Sequence, residues 1–478
     1  MLTKLWIDGK FVAARSGKTF PVINPADGSL LARVAEGGAD DIGDAVDAAV
    51  KASNGAWSKM HARERGKILL KIAGLIRENL DSLAVLECRN AGKPLGDAKD
   101  EMGLAADTFE YYGGAANKHF GETIPVAGAG LDYTLREPVG VCGLIVPWNF
   151  PLVIAAWKLG PALACGNTVI LKPSPETPLT ALALAKLAAE AGLPAGVLNV
   201  VPGPGPGCGD ALVAHPLVRK ISFTGSTATG TGIMKAAADG IKRVSLELGG
   251  KSPNIVFDDA DLELCVEKTV WSVFYNAGQD CCARSRVLVH RKIHDKFVEQ
   301  LVARTRKFVV GHPEKKGTQI GPIISRRQYD KISQYIASGK AEGAKLLCGG
   351  VRPKGVPLKG HYLTPAIFSG TDDNMRIVRE EIFGPVLAVI PFKDEDEAIR
   401  LANDSAYGLS ASLWTRDVGR VLRVTRAVQS GVISVNTSSS VHLEAPFGGY
   451  KGSGLGRELG LKALDLYSEV KNVFISNV

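Results

Sequence analysis

From Val141 onward the chain alternates short runs that are apolar throughout with Ala-rich stretches of helical spacing. Runs at 141–147, 168–171, 197–201, 218–223 and 243–248 are rich in β-branched residues, and segments near 155–165, 177–191 and 227–238 separate them. Strands apolar on both faces belong to a parallel sheet covered by helices on both sides, so this stretch predicts a doubly wound α/β domain. Such a domain binds its ligand beyond the carboxyl ends of its strands. A second alternation follows Gly249-Gly250, with helices near 261–275, 292–308, 325–342, 394–403 and 417–428. Strands near 286–290, 386–391, 410–414 and 431–435 lie between them, which makes a second α/β domain.

Upstream, Ile42, Ala45, Val46, Ala49 and Val50 fall on one helical face behind Asp40 as predicted N-cap. Ile68, Leu69, Ile72, Leu75 and Ile76 repeat the spacing. Residues 121–138 read as a hairpin, and residues 467–478 as a lone strand with no local partner. Exposed edges of this kind are commonly covered by another subunit, so a homodimer or homotetramer is expected.

At 478 residues the chain exceeds a single core and requires two or three domains. Its 57 basic and 49 acidic residues leave +8 without a basic block or an aromatic-interleaved stripe, which argues against nucleic acid as partner. The eight cysteines show no C-x-x-C spacing, so neither zinc nor a redox dithiol is indicated, and they read as reduced thiols. His290 and His294 straddle a strand end and read as surface residues rather than metal ligands. Residues 1–10 lack a signal-peptide pattern and no run is long enough to span a bilayer, so a soluble cytoplasmic protein is expected.

The chemistry concentrates around Gly278-Gln279-Asp280-Cys281-Cys282-Ala283-Arg284-Ser285-Arg286, where a thiol precedes a strand beginning near Val287. A thiol held in polar backbone near cationic side chains ionises below its free value of about 8.5 and becomes a nucleophile. Leu246-Glu247-Leu248-Gly249-Gly250-Lys251 puts a carboxylate at the end of an apolar strand, where partial burial raises its pKa toward general-base range. Pro147-Trp148-Asn149-Phe150-Pro151 follows another strand and places a neutral amide donor there. Phe223-Thr224-Gly225-Ser226 opens a helix, whose free amides favour a pyrophosphate. The Pro-rich loop at 201–209 lacks such donors and reads as a stiff turn.

These segments, with Leu171-Lys172-Pro173-Ser174, Glu380-Glu381-Ile382-Phe383-Gly384-Pro385 and Pro446-Phe447-Gly448-Gly449, resemble the aldehyde dehydrogenase superfamily in order and spacing from about residue 5 to 475. The resemblance implies a Rossmann-type cofactor domain (1–120 and 139–248), an oligomerisation hairpin (121–138), a catalytic domain (249–452) and a closing segment with an oligomerisation strand (453–478). It implies Cys281, not Cys282, as the nucleophile toward an aldehyde, Asn149 with the Cys281 backbone N–H as oxyanion donors, and Glu247 as base. Trp148, Lys172, Gly225, Ser226, Gly230, Glu381 and Phe383 would hold the cofactor, with the two glycines allowing its close approach. Pro175 stands where many members carry a ribose-binding glutamate, and Glu176 sits one place later. NAD is therefore the expected cofactor and NADP stays open.

Phe150, Trp157, Tyr275 and Phe447 would line the aldehyde tunnel. Their rings favour an apolar, aromatic or quaternary-ammonium aldehyde. Glu101 and Asp280 are candidate partners for an amino-aldehyde. Members that pass the acyl group to coenzyme A generally lack the glutamate, so Glu247 points to water as acceptor. An acylating or semialdehyde-specific enzyme is the alternative, and a non-catalytic relative conflicts with the intact Cys281, Glu247 and Asn149.

Overall fold

A computed structural model describes residues 3–439 and 441–477. Two large sheets organise it. The first runs Lys10–Val12, Leu5–Ile7, Leu198–Val200, Thr168–Lys172, Val141–Ile145, Lys220–Thr224, Arg243–Glu247, Gly454–Leu455. Its five central strands are parallel, and the N-terminal strands and Gly454–Leu455 add antiparallel edges. The second runs Lys345–Cys348, Ala366–Ser369, Val386–Phe392, Arg286–His290, Pro253–Val256, Ser410–Trp414, Val432–Val435, parallel except at its first pair. Every residue of Val141–Ile145, Thr168–Lys172 and Arg286–His290 is buried, which explains why their central positions are apolar on both faces.

One face of the first sheet packs against helices Ala62–Glu78, Leu95–Ala115, Pro151–Ala164 and Leu179–Glu190. The other face closes around Ile42, Val46, Leu212 and Ile233, from the helices that flank it. Pro151 opens its helix at the first position, where a missing N–H costs nothing, so the preceding turn carries Trp148 and Asn149. The first helix, Ala39–Ser53, begins two residues earlier than read from sequence. Gly38 is its N-cap, and Asp41 rather than Asp40 closes the turn by accepting the Gly38 N–H at 2.9 Å.

The tail is not a lone strand. Ser468–Ser476 pairs antiparallel along the whole of Gly130–Pro138, from Ser468 opposite Pro138 to Ser476 opposite Gly130. Thr123–Ile124 completes this third sheet. Asn167 ties it to the first sheet: its amide donates to the Tyr467 carbonyl at 2.8 Å, and its oxygen accepts the Gly140 N–H at 2.9 Å. Leu131, Val470, Phe474 and Ile475 are left exposed on it. Among the described residues no helix is long and apolar enough to cross a membrane.

Candidate active site

The carboxyl ends of four adjacent parallel strands open onto a cleft of about 730 Å³. Trp148 and Asn149 enter it from the turn after Val141–Ile145, Ser174 to Glu176 from that after Thr168–Lys172. Gly225 and Ser226 follow Lys220–Thr224, and Leu248 and Gly249 follow Arg243–Glu247. The facing wall carries Ser325, Arg327, Gln328, Lys331, Glu381, Phe383 and the Cys281 thiol.

The loop before the thiol is held in an unusual backbone. Asn276, Ala277 and Gly278 take φ of 49°, 56° and 71° in succession, a left-handed path that costs side-chain residues energy unless surroundings impose it. A Cβ on Gly278 would lie 2.2 Å from the Gly384 carbonyl, so this loop packs directly on the one carrying Phe383. A Cβ on Gly250 would come within 2.3 Å of the Cys281 carbonyl oxygen, and one on Gly249 within 2.5 Å of Glu381 Oε2. Glu381 Oε1 accepts the Gly250 N–H at 2.9 Å.

Asn149 is fixed from several sides. Its Nδ2 donates to the Gln279 carbonyl at 3.0 Å, which leaves its second N–H without a described partner. Its own carbonyl accepts from Lys93 Nζ at 2.8 Å and from Asn276 Nδ2 at 3.0 Å. Gln279 closes the network by donating to the Asn276 carbonyl and accepting the Ile324 N–H at 2.9 Å.

Beyond the thiol the surroundings turn apolar. Val153, Trp157, Cys282, Leu409, Phe447 and Leu459 form a buried cluster against which Cys281 and Phe150 pack. Trp157 and Phe447 meet edge to face at 5.3 Å between centroids, and Phe150 stacks on Tyr275 at 6.1 Å. Lys93 lies 4.6 Å over the Phe150 ring and pairs with Glu101 at 2.7 Å, while the Tyr275 hydroxyl donates to Glu101 at 3.2 Å.

Glu247 is 4% exposed and neither of its oxygens has a hydrogen-bond partner. Burial, then the nearby Glu458 charge, pushes its carboxyl well above the usual range. The Cys281 thiol is also pushed up, first by its hydrogen bond with Cys282, then by burial and the charges of Cys282, Asp280 and Glu247. This reverses the lowered value expected from neighbouring cations. Arg284 is spent on the Cys282 carbonyl at 2.8 Å, and Arg286 on the Lys251, Leu401 and Ala402 carbonyls.

Residues 11–473 match the sequence profile of the aldehyde dehydrogenase family. The chain belongs to that family. It is 47% identical to retinal dehydrogenase 2 of Homo sapiens, over 99% of this chain and 92% of that one. It is 48% identical to a mitochondrial benzaldehyde dehydrogenase of Antirrhinum majus, over 98% and 88%. An NAD+ complex of aldehyde dehydrogenase from Bacillus cereus superposes with a TM-score of 0.98 at 46% identity, covering 100% of this chain and 97% of that one. Oxidation of an aldehyde is the activity that this membership assigns.

In this aldehyde dehydrogenase, Cys281, Asn149, Trp148, Gly225, Ser226, Glu381 and Phe383 share the cleft, with Trp148 and Phe383 edge to face at 5.2 Å. Ser226 caps helix Thr227–Ala238, its Oγ accepting the Thr229 N–H at 3.3 Å. Lys172 and Gly230 do not line the cleft. Lys172 is buried, with its ammonium on the Pro173 carbonyl at 3.1 Å. Gly230 faces Leu248, whose Cδ2 would lie 2.5 Å from an added Cβ, so it serves the packing of helix on sheet. His290 is buried at a sheet strand and is not a surface residue. The sequence reading missed the Lys93, Asn276 and Gln279 scaffold of Asn149. It also missed Gln328, which donates to the Phe383 carbonyl at 2.8 Å while Phe383 sits at φ 57°. The sequence carried no signal for this scaffold, since Lys93 and Glu101 flank a stretch that is itself charged and partly exposed.

A raised thiol pKa means less thiolate at any given pH. Iodoacetamide alkylation of Cys281 in the cofactor-free protein should therefore climb with pH past the free-thiol value of about 8.5 without levelling. Mass spectrometry of the modified peptide checks this, and a plateau below pH 8 would contradict the electrostatics described.

Proposed function

We propose that the protein is a hydrolytic, NAD-dependent aldehyde dehydrogenase with Cys281 as nucleophile. The observation that supports this most is the Cys281 thiol opening on the cleft beside Asn149, with the unpartnered carboxyl of Glu247 close enough to shift that thiol. Cofactor binding fits the same cleft. Glu381, half-buried and anchored on Gly250, has a second oxygen for a ribose hydroxyl, and the Ser226-capped helix offers its N-terminus to a pyrophosphate. NAD, once bound, supplies the hydride acceptor. Residues 1–120 and 139–248 are the natural unit to hold it, with 249–452 supplying the nucleophile.

The protein's own share of the chemistry follows from placement. Cys281 Sγ bonds to the carbonyl carbon, and the Asn149 amide with the Cys281 N–H stabilises the charge that forms on oxygen. After oxidation the acyl group stays on Cys281 as a thioester. Glu247 takes a proton from water, which attacks the thioester and releases the acid. Burial pushes that carboxyl well above the usual range, so acid release should rise with pH as Glu247 loses its proton.

The substrate end favours a neutral apolar or aromatic aldehyde. The Lys93 ammonium already occupies a face of Phe150, and Glu101 is already paired with it, so neither an open cation-binding ring nor a spare carboxylate greets a charged aldehyde there. Glu176 reaches the cleft despite its shifted place, which keeps a carboxylate where a 2′-phosphate would be repelled. The exposed apolar residues of the third sheet are proposed to be covered by a second copy of the chain in a dimer or tetramer.

Substitutions, an aldehyde panel and light scattering test these readings. Cys281→Ala should abolish aldehyde oxidation, and Asn149→Ala should lower kcat by about 10²–10³. Glu247→Gln should give one rapid equivalent of NADH and then stall at the thioester, visible by intact mass. In an aldehyde panel, kcat/KM should be higher for benzaldehyde and hexanal than for betaine aldehyde, and higher with NAD than with NADP. Light scattering of Ile475→Asp should show a smaller assembly than the unaltered protein; equal masses would remove this sheet as the interface.

A further inference from the structure

Besides its place in the cleft, Cys281 belongs to a tight group of metal-ligating atoms. The Cys281 and Cys282 sulfurs and a carboxylate oxygen of Asp280 all lie within 4.8 Å of one another. They are contributed by three consecutive residues whose backbone is already fixed: Asp280 Oδ1 accepts the Cys282 N–H at 2.9 Å, and the Asp280 carbonyl accepts the Ala283 N–H at 3.2 Å. Two sulfurs bound tetrahedrally to one d¹⁰ cation at about 2.3 Å would stand a little under 4 Å apart, so only side-chain rotation is needed to seat it.

We propose that Asp280, Cys281 and Cys282 form an inhibitory site for one thiophilic divalent cation, zinc or cadmium. Two physical points support it. The donor set is two soft sulfurs and one carboxylate, which selects these ions over magnesium or calcium. The apolar wall of Leu409, Phe447 and Leu459 beside Cys282 is unsuited to a strongly hydrated hard ion. Arg284 and Lys93 are cations whose charge reaches this group; the Arg284 guanidinium donates to the Cys282 carbonyl and Ser412, and Lys93 is paired with Glu101. Each metal that binds displaces one proton from each thiol into solvent, so the charge balances at two protons per ion.

Cys282 has no part in the proposed reaction, which separates binding from catalysis. That occupancy stops turnover rests on Cys281 being the nucleophile; the binding itself does not. Cadmium titration of the full-length protein, followed by the ultraviolet thiolate-to-metal band and by protons released in weak buffer, is the test. The expected result is one ion per chain, loss of aldehyde oxidation in step with occupancy, and recovery with a chelator. Cys282→Ala, and Cys282→Ser as a second variant, should bind cadmium at least about tenfold more weakly. Asp280→Asn should also weaken binding, by less than either Cys282 variant. Unchanged cadmium affinity in both Cys282 variants would overturn the site. Full occupancy without loss of activity would overturn its inhibitory character and Cys281 as nucleophile together. An unaltered protein that oxidises no aldehyde would refute the proposed function, while the absorbance and proton counts still decide the site.

Discussion

The structure hinges on how closely Gly249-Gly250 lets two walls approach. The last parallel strand of the first sheet ends at Glu247, and the chain then passes within van der Waals range of both Glu381 and the Cys281 carbonyl. No side chain fits there. With one present, the Glu381–Gly250 hydrogen bond and the seating of the thiol loop would both be lost, although neither residue lies near the other in sequence. The proposed nucleophile, base and ribose anchor are thus set by one crossing of bare backbone.

Around that crossing the protein holds polar groups by satisfying some and starving others. Asn149, Gln279, Asn276 and Lys93 bond to one another and to carbonyls, so the amide has little freedom. Glu247 has no such support. A carboxyl buried without partners costs several kcal/mol if ionised, and it is driven toward its neutral form. The thiol is under the same pressure from its own neighbours. At rest the site therefore stores two protons that the proposed reaction has to move, and the anionic surroundings make both reluctant to leave.

Much of this was legible in the residues. The parallel strands announced themselves because they are buried on both sides and carry no polar alternation, and the sites at their carboxyl ends followed. Cys281, Glu247 and Asn149 stood out because each sits just past an apolar run or in a Gly-rich turn. Strands such as Pro253–Val256 and Ala366–Ser369 were not legible: four residues carry no period, and only sheet neighbours define them. Asp40 looked like a cap because any acid near a helix start does, and the turn chose Asp41. The expectation of a lowered thiol pKa failed because sequence places Arg284 and Arg286 nearby without showing which way they point. Gly230 looked like a cofactor contact for the same reason, and Leu248 claims it instead.

The pairing of Ser468–Ser476 with Gly130–Pro138 also orders events during synthesis. Partners such as Asn472 and Asp132 stand 340 positions apart, so the earlier strand emerges from the ribosome long before the later one exists. Until then its apolar side chains and unpaired backbone edge are open to wrong contacts, the condition in which nascent chains aggregate or need chaperones. This sheet can be completed only after residues 468–476 have been synthesised.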